Sequence, residues 1–159
     1  MLKTEPASQD DLEQILQLAA ARREKYVQYQ PQFWRPAADA IALQRPYFAS
    51  LIKDDKCLVV VTREGSDVRG FAIARTAGAP PVYDPGGLSC DVDDFAVADP
   101  EQWPIVGPLL LDAVRAWGSD RGATQLIVVV AQLDEAKRAV LKTDQLTTAS
   151  EWWVGPIRP

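Results

Sequence analysis

From Val106 onward the apolar residues Val106, Leu109, Leu110, Ala113, Val114 and Trp117 recur at i, i+3, i+4, i+7, i+8 and i+11, the spacing that turns one face of a helix toward a core. Just ahead, Phe95 and Val97 alternate with Asp94 and Ala96, as in a strand with two unlike faces. A strand feeding a helix N-terminus gathers unpaired backbone N–H groups at one point, a natural anion site.

The same reading covers the rest of the chain. Leu2 to Ala7 predicts a short first strand. Ser8 and Asp11 form a capping box with Asp in place of Glu, opening a helix from about Gln9 to Lys25 with the stripe Leu12, Ile15, Leu16 and Ala19. Tyr26 to Pro36, rich in aromatics and bounded by Pro31 and Pro36, reads as an ordered loop. A second helix covers Ala38 to Ile52, limited or kinked by Pro46. Leu58 to Thr62 and Val68 to Thr76 make a hairpin around Glu64-Gly65-Ser66-Asp67. Gly78, Pro80, Pro81, Pro85, Gly86 and Gly87 break any regular element before the next strand, Leu88 to Val97. The continuous apolar run Leu126 to Ala131 predicts a strand covered on both faces. Asp134 caps a helix to Leu141, and Ser150 to Val154, carrying Trp152 and Trp153, reads as a last strand before Pro156.

This order predicts a single α/β domain over residues 1–159, a mixed sheet of about six to seven strands with helices on both faces. The strand ending at Val97, the helix after it and the strand from Leu126 form a right-handed parallel crossover. With 47% hydrophobic and 25% charged residues the composition is that of an ordinary soluble domain, and no apolar run is long enough to span a bilayer. The first residues lack the apolar core of a signal peptide, so the expected compartment is the cytoplasm. A formal charge of -5 argues against a nucleic-acid partner and suits a cationic or neutral substrate. Cys57 and Cys90 are expected as reduced thiols. The chain has no histidine, which removes Cys-His and Ser-His-Asp mechanisms and His-containing zinc sites.

The segment Val92-Asp93-Asp94-Phe95-Ala96-Val97-Ala98-Asp99-Pro100 resembles the central strand of the GNAT family of acyl-CoA-dependent N-acyltransferases, and the order of elements is similar over nearly the whole chain. The resemblance implies a GNAT-like fold, acetyl-CoA or another acyl-CoA as cosubstrate, no metal, and an amine of a small molecule or peptide as acceptor. It places the coenzyme along Phe95, Ala96 and Val97 and over a pyrophosphate loop carried by Gln102, Ile105, Val106, Gly107 and Leu109. That loop departs from the family pattern: Ile105 replaces the first glycine, and Pro104 and Pro108 each lack an N–H donor. Pro108 is read as a first-turn helix residue. The tyrosine expected in the last helix is replaced by Leu141, and Gln145-Leu146 stands where a glycine-aromatic pair commonly follows. Tyr83, in the proline-rich connection, is the alternative phenol.

With no covalent nucleophile in view, acyl transfer runs by direct attack of the amine, and a general base must take its proton. Asp93 and Asp94 are the candidates; neighbours on a regular strand face opposite sides, and Asp93 then shares its face with Phe95 and Val97. A backbone N–H near Val97, where the resemblance implies that the central strands splay apart, would hold the thioester oxyanion. Tyr29, Phe33, Trp34 and Tyr83 are candidate acceptor-pocket residues, while Trp152 and Trp153 suit a homodimer surface. The alternative is a GNAT-fold binding or regulatory module without catalysis, to which Pro104, Ile105, Pro108 and Leu141 point.

Overall fold

Strands form where β-branched and aromatic residues alternate, and helices where the apolar spacing widens to three and four. The computed structural model describes residues 1–158. Its elements are β1 (Leu2–Pro6), α1 (Leu12–Tyr29), α2 (Ala40–Lys53), β2 (Cys57–Glu64), β3 (Asp67–Ala77), β4 (Leu88–Val97), α3 (Trp103–Ser119), β5 (Ala123–Val128) and α4 (Glu135–Thr143). Single turns of 3-10 helix, Gln9–Asp11 and Pro100–Gln102, lead into α1 and α3.

The strands lie in chain order in one five-stranded sheet. β1 through β4 pair antiparallel, and only β4 and β5 run parallel, joined by the α3 crossover. Alternation sorts the sheet residues to two faces. Val59, Val61, Phe71, Ile73 and Ala96 pack with Ile15, Leu16, Phe48 and Leu51 of α1 and α2. Val60, Ala72, Val92 and Phe95 pack with Val106, Leu110 and Val114 of α3 and Val140 of α4. Two covered faces give the mixed α/β sandwich the pattern predicts.

Four expectations are corrected. The sheet has five strands, fewer than six to seven, because Ser150 to Val154 forms no strand; Trp152 and Trp153 stand in solvent, 83% and 88% exposed. β5 is covered on one face only: Leu126 and Val128 pack toward α3, whereas Ile127 and Val129 are each 44% exposed, since no helix crosses that face at the sheet edge. α1 runs on through Tyr26 to Tyr29, so the first four residues of the presumed aromatic loop are helix. In α3 the buried set includes Leu111 and leaves Leu109 partly outside; the helix starts at Trp103, which puts Pro104 in its first turn and Pro108 in its interior, where the missing N–H forfeits a bond to the Pro104 carbonyl. Cys57 and Cys90 are unpaired.

Candidate functional site

β4 is not a regular strand. Ile73 pairs with Asp94 and Ala74 with Val92, so Asp93 is an extra residue, a bulge in the middle of the sheet. The bulge changes the phase of the strand: Val92 and Phe95, three apart, both face α3, and Asp94 falls on the α1 side with Ala96. Asp93 therefore does not share a face with Phe95 and Val97 through simple alternation, as a regular strand would have it.

The bulge is also where β4 and β5 part. Their pairing ends at Val92 with Val128, closed by the Val129 N–H donating to the Val92 carbonyl at 3.0 Å. Beyond it the Phe95 carbonyl points away from β3 into the gap, and strand alternation directs the N–H of Val97 the same way. Into this gap α4 sends Lys137. Its ammonium donates to the carbonyls of Phe95 (3.2 Å) and Val129 (3.0 Å) and lies 5.0 Å from the centroid of the Phe95 ring. Lys137 is wholly buried, and burial pushes its pKa down to about 7; the charge of Arg22 acts in the same direction, and Asp134, Asp94 and Asp93 oppose it.

A cleft of about 260 Å³ opens beside the gap. One wall is Phe95 to Ala98 with Trp103, another is the start of α4 from Leu133 to Ala136. The third is a row along α1, Leu18, Ala21, Arg22, Lys25, Tyr26 and Tyr29, at helical spacing. Arg22 binds Asp94 at 2.5 Å and also donates to the Asp93 carbonyl, which fixes the bulge to α1. Tyr26 is buried and donates to Asp134 at 2.8 Å; burial, with the Asp134 carboxylate second, holds its phenol strongly protonated. Asp134 in turn accepts the Lys137 N–H as the N-cap of α4.

The start of α3 is the second feature the chemistry depends on. The Asp99 carboxylate takes the Glu101 N–H at 2.9 Å, its carbonyl takes the Gln102 N–H at 2.9 Å, the Trp103 N–H goes to the Pro100 carbonyl, and Pro104 has none. The N–H groups of Glu101, Gln102 and Trp103 are thus spent within the chain, beside the carboxylates of Asp99 and Glu101. Gly107 does not approach a ligand surface: a Cβ there would lie 3.1 Å from both Trp103 and Val140, so it is the glycine that lets α3 and α4 meet. Val106 is core, the Gln102 side-chain oxygen is buried without a partner, and Ile105 and Leu109 are exposed. Of the anticipated coenzyme residues, only Phe95, Ala96 and Val97 line the cleft.

The aromatic residues separate. Tyr29 lines the cleft. Phe33 and Trp34 stack edge to face at 4.6 Å, and Trp34 packs on Tyr26 at 5.0 Å, buttressing α1 rather than lining the cleft. Tyr83 belongs to a second cavity of about 500 Å³ under the proline-rich connection, whose only charged lining residues are Asp84 and Asp91. Burial and the neighbouring Asp93 raise the pKa of Asp91. Asp93 itself is exposed, within electrostatic reach of both Asp91 and Lys137. Leu141 is buried, and the phenols of the cleft wall are those of Tyr26 and Tyr29 on α1. Sequence reasoning passed over Lys137, although a lysine three and four residues ahead of Val140 and Leu141 sits on the helix's apolar stripe, and over Arg22, one turn beyond Leu18. Among the described residues no cluster of three or more His, Cys, Asp or Glu is arranged to hold a metal, and no helix is long and apolar enough to cross a membrane.

No protein-family model and no curated protein sequence matches the chain. Solved structures do. A point mutant of the BH1408 protein of Bacillus halodurans superposes with a TM-score of 0.85 at 14% identity, covering 98% of this chain and 99% of that one. A predicted acetyltransferase with acetyl-CoA from Clostridium acetobutylicum gives 0.75 at 15%, over 98% and 96%. The aminoglycoside acetyltransferase AAC(6')-Iy, in complex with a bisubstrate analogue of coenzyme A, gives 0.70 at 15%, over 100% and 99%. The chain has the fold of the GNAT acetyltransferases.

Proposed function

We propose, with that fold as premise, that the chain transfers an acyl group from an acyl-CoA to an amine by direct attack. The observation that carries the reading is the opened strand pair: β4 leaves β5 at the Asp93 bulge, beside a cleft into which the Val97 N–H is directed. That N–H is the donor for the thioester oxyanion. Asp93 is the base, because Asp94 is held by Arg22 whereas the Asp93 carboxylate has no partner among the described residues. The acceptor approaches from the second cavity, whose Asp84 and Asp91 suit a protonated amine before it gives up its proton. AAC(6')-Iy, with its aminoglycoside-derived bisubstrate analogue, and the acetyl-CoA complex from Clostridium support this class of reaction. We read the protein as a cytoplasmic enzyme working on a small-molecule or peptide amine. The open edge of β5 and the exposed Trp152 and Trp153 favour a homodimer.

One observation favours a second reading. Asp99 occupies the donors at the start of α3 and places a negative charge where the coenzyme's diphosphate would lie, as in a binding module that no longer takes coenzyme A. Isothermal titration with acetyl-CoA separates the two. Micromolar to millimolar binding is the expected result, and no heat up to millimolar ligand would refute the transferase reading.

A further inference from the structure

A helix side chain lying over a sheet does not normally bond to the strands' carbonyls, because these lie in the plane of the sheet and are spent on neighbouring strands. Arg22 reaches one. Its Nη1 donates to the Asp93 carbonyl at 3.1 Å and its Nη2 to the Asp94 carboxylate at 2.5 Å, so one guanidinium grips two consecutive residues of β4 by different groups. The Asp93 carbonyl is free for this because the bulge leaves its residue out of the β3 ladder, and because the pairing with β5 has already ended at Val92 and Val128. Among the described residues no other side chain bonds to Asp93, and its own carboxylate is exposed and without a partner. Arg22 is not placed for its own satisfaction, since its Nε is buried with no hydrogen-bond partner. Its frame is firm: the side chain is 17% exposed, the guanidinium lies 5.5 Å from the Tyr26 ring centroid, and Tyr26 is tied to Asp134 at 2.8 Å.

We propose that Arg22 is the positioning residue for proton removal: by holding the Asp93 carbonyl and the Asp94 carboxylate in one fork, it fixes the backbone from which the Asp93 carboxylate meets the amine. The assignment rests on the acyl-transfer reading above, with Asp93 as base. In that step the ammonium gives one proton to the Asp93 carboxylate, the electron pair of the broken N–H bond attacks the thioester carbon, and the C–S pair leaves on sulfur. Arg22 exchanges no proton and acts only through Asp93. A bulged residue has no cross-strand partner to fix its direction, and a displacement of about 1 Å at a reacting group costs on the order of 100-fold in rate. A lysine would keep the charge beside Asp94 but is a point donor on a flexible stem; only the planar fork meets both acceptors at a fixed angle.

The test is a double-mutant cycle on the full chain. Thiol release from acetyl-CoA is followed with 1,4-diaminobutane and with glycinamide as acceptor amines, and without amine, where water takes the amine's place. Arg22→Lys should lower kcat about 100-fold, with the calorimetric affinity for acetyl-CoA little changed. In the Asp93→Asn background the same exchange should cost almost nothing further, because the group it positions is gone. A residue that only supports the fold or the cleft would lower both backgrounds by the same factor, so losses that multiply overturn the assignment and leave the transferase reading standing. An unchanged kcat in Arg22→Lys overturns it as well. Absence of acetyl-CoA binding heat overturns the transferase reading itself, and this assignment with it. Arg22→Met, which drops both bonds, should lose at least as much as Arg22→Lys; if it does not fold, the lysine cycle decides alone.

Discussion

Exchanging Lys137 for methionine should change how stability depends on pH, and the size of the change follows from where the ammonium sits. In the unfolded chain a lysine titrates near 10.4; enclosed between β4, β5 and α4, Lys137 titrates at about 7. Between these values the unfolded state holds a proton that the folded state has released, so stability rises with pH, by about 1.4 kcal/mol for each pH unit. Below about 7 both states are protonated, and the folded protein carries the whole cost of the enclosed charge. From about pH 7 to about pH 8.5 the wild type should therefore gain about 2 kcal/mol relative to Lys137→Met.

Two other groups act in the opposite sense at higher pH. Burial raises Cys90 to about 11 and raises Tyr26 further, so the unfolded chain loses those protons first and stability falls. Both are common to wild type and variant and cancel in the difference. Methionine also leaves the Phe95 and Val129 carbonyls without a donor, about 1 to 3 kcal/mol each, but that offset does not vary with pH. The assay is urea unfolding followed by tryptophan fluorescence, from about pH 6 to about pH 8.5, with slopes compared rather than midpoints. Parallel curves across that range would refute the picture of a charge held out of water.

Two further substitution sets test the site. Asp93→Asn should lower acyl transfer about 100-fold or more with acetyl-CoA affinity unchanged, measured by thiol release and calorimetry. Asp94→Asn should instead cost about 1.5 to 3 kcal/mol in urea unfolding, since Arg22 loses its ionised partner on β4 and keeps only the Asp93 carbonyl there. Asp99→Ala removes an N-cap and costs about 1 kcal/mol of stability, yet it frees the Glu101 N–H and takes a negative charge from the start of α3. Its affinity for acetyl-CoA should therefore rise; an unchanged affinity would mean that Asp99 does not compete with the diphosphate.

What could be read from the chain was what local chemistry decides. Leu88 to Val97 forms a strand with those bounds, the hairpin turns where Gly65 and Ser66 allow it, and α3 lays Val106, Leu110 and Val114 on the sheet as their spacing requires. Other features depend on partners distant in sequence. Trp152 to Val154 has strand-forming residues, but a strand exists only against an edge, and no hydrogen bonds join this segment to β5. Ile127 is as apolar as Leu126, and only the absence of a helix over one face leaves it exposed. The row Leu18, Arg22, Tyr26 and Tyr29 was hidden because aromatic and proline residues near Pro31 imitate a loop, whereas Tyr26 is held in α1 by its bond to Asp134. The fold of the acetyltransferases was legible in β4 and its following helix. The group that fills the strand gap was not, because nothing within α4 reveals that a lysine on its apolar stripe faces two carbonyls.

The extra residue in β4 has a consequence for how this strand tolerates change. A two-residue repeat assigns every side chain to a face by counting, and Asp93 resets that count halfway along. The upstream half, with Cys90 and Val92, and the downstream half, with Phe95 and Val97, are two independently phased rulers joined at one carboxylate. Deleting that one residue would restore one continuous ruler with Phe95 still on the α3 side and Ala96 on the α1 side, and would take away the bulge at which β4 leaves β5. The extra residue at position 93 therefore decides whether the strand bends, not which side chains reach the core: an asparagine or a serine keeps the bulge, and a deletion removes it.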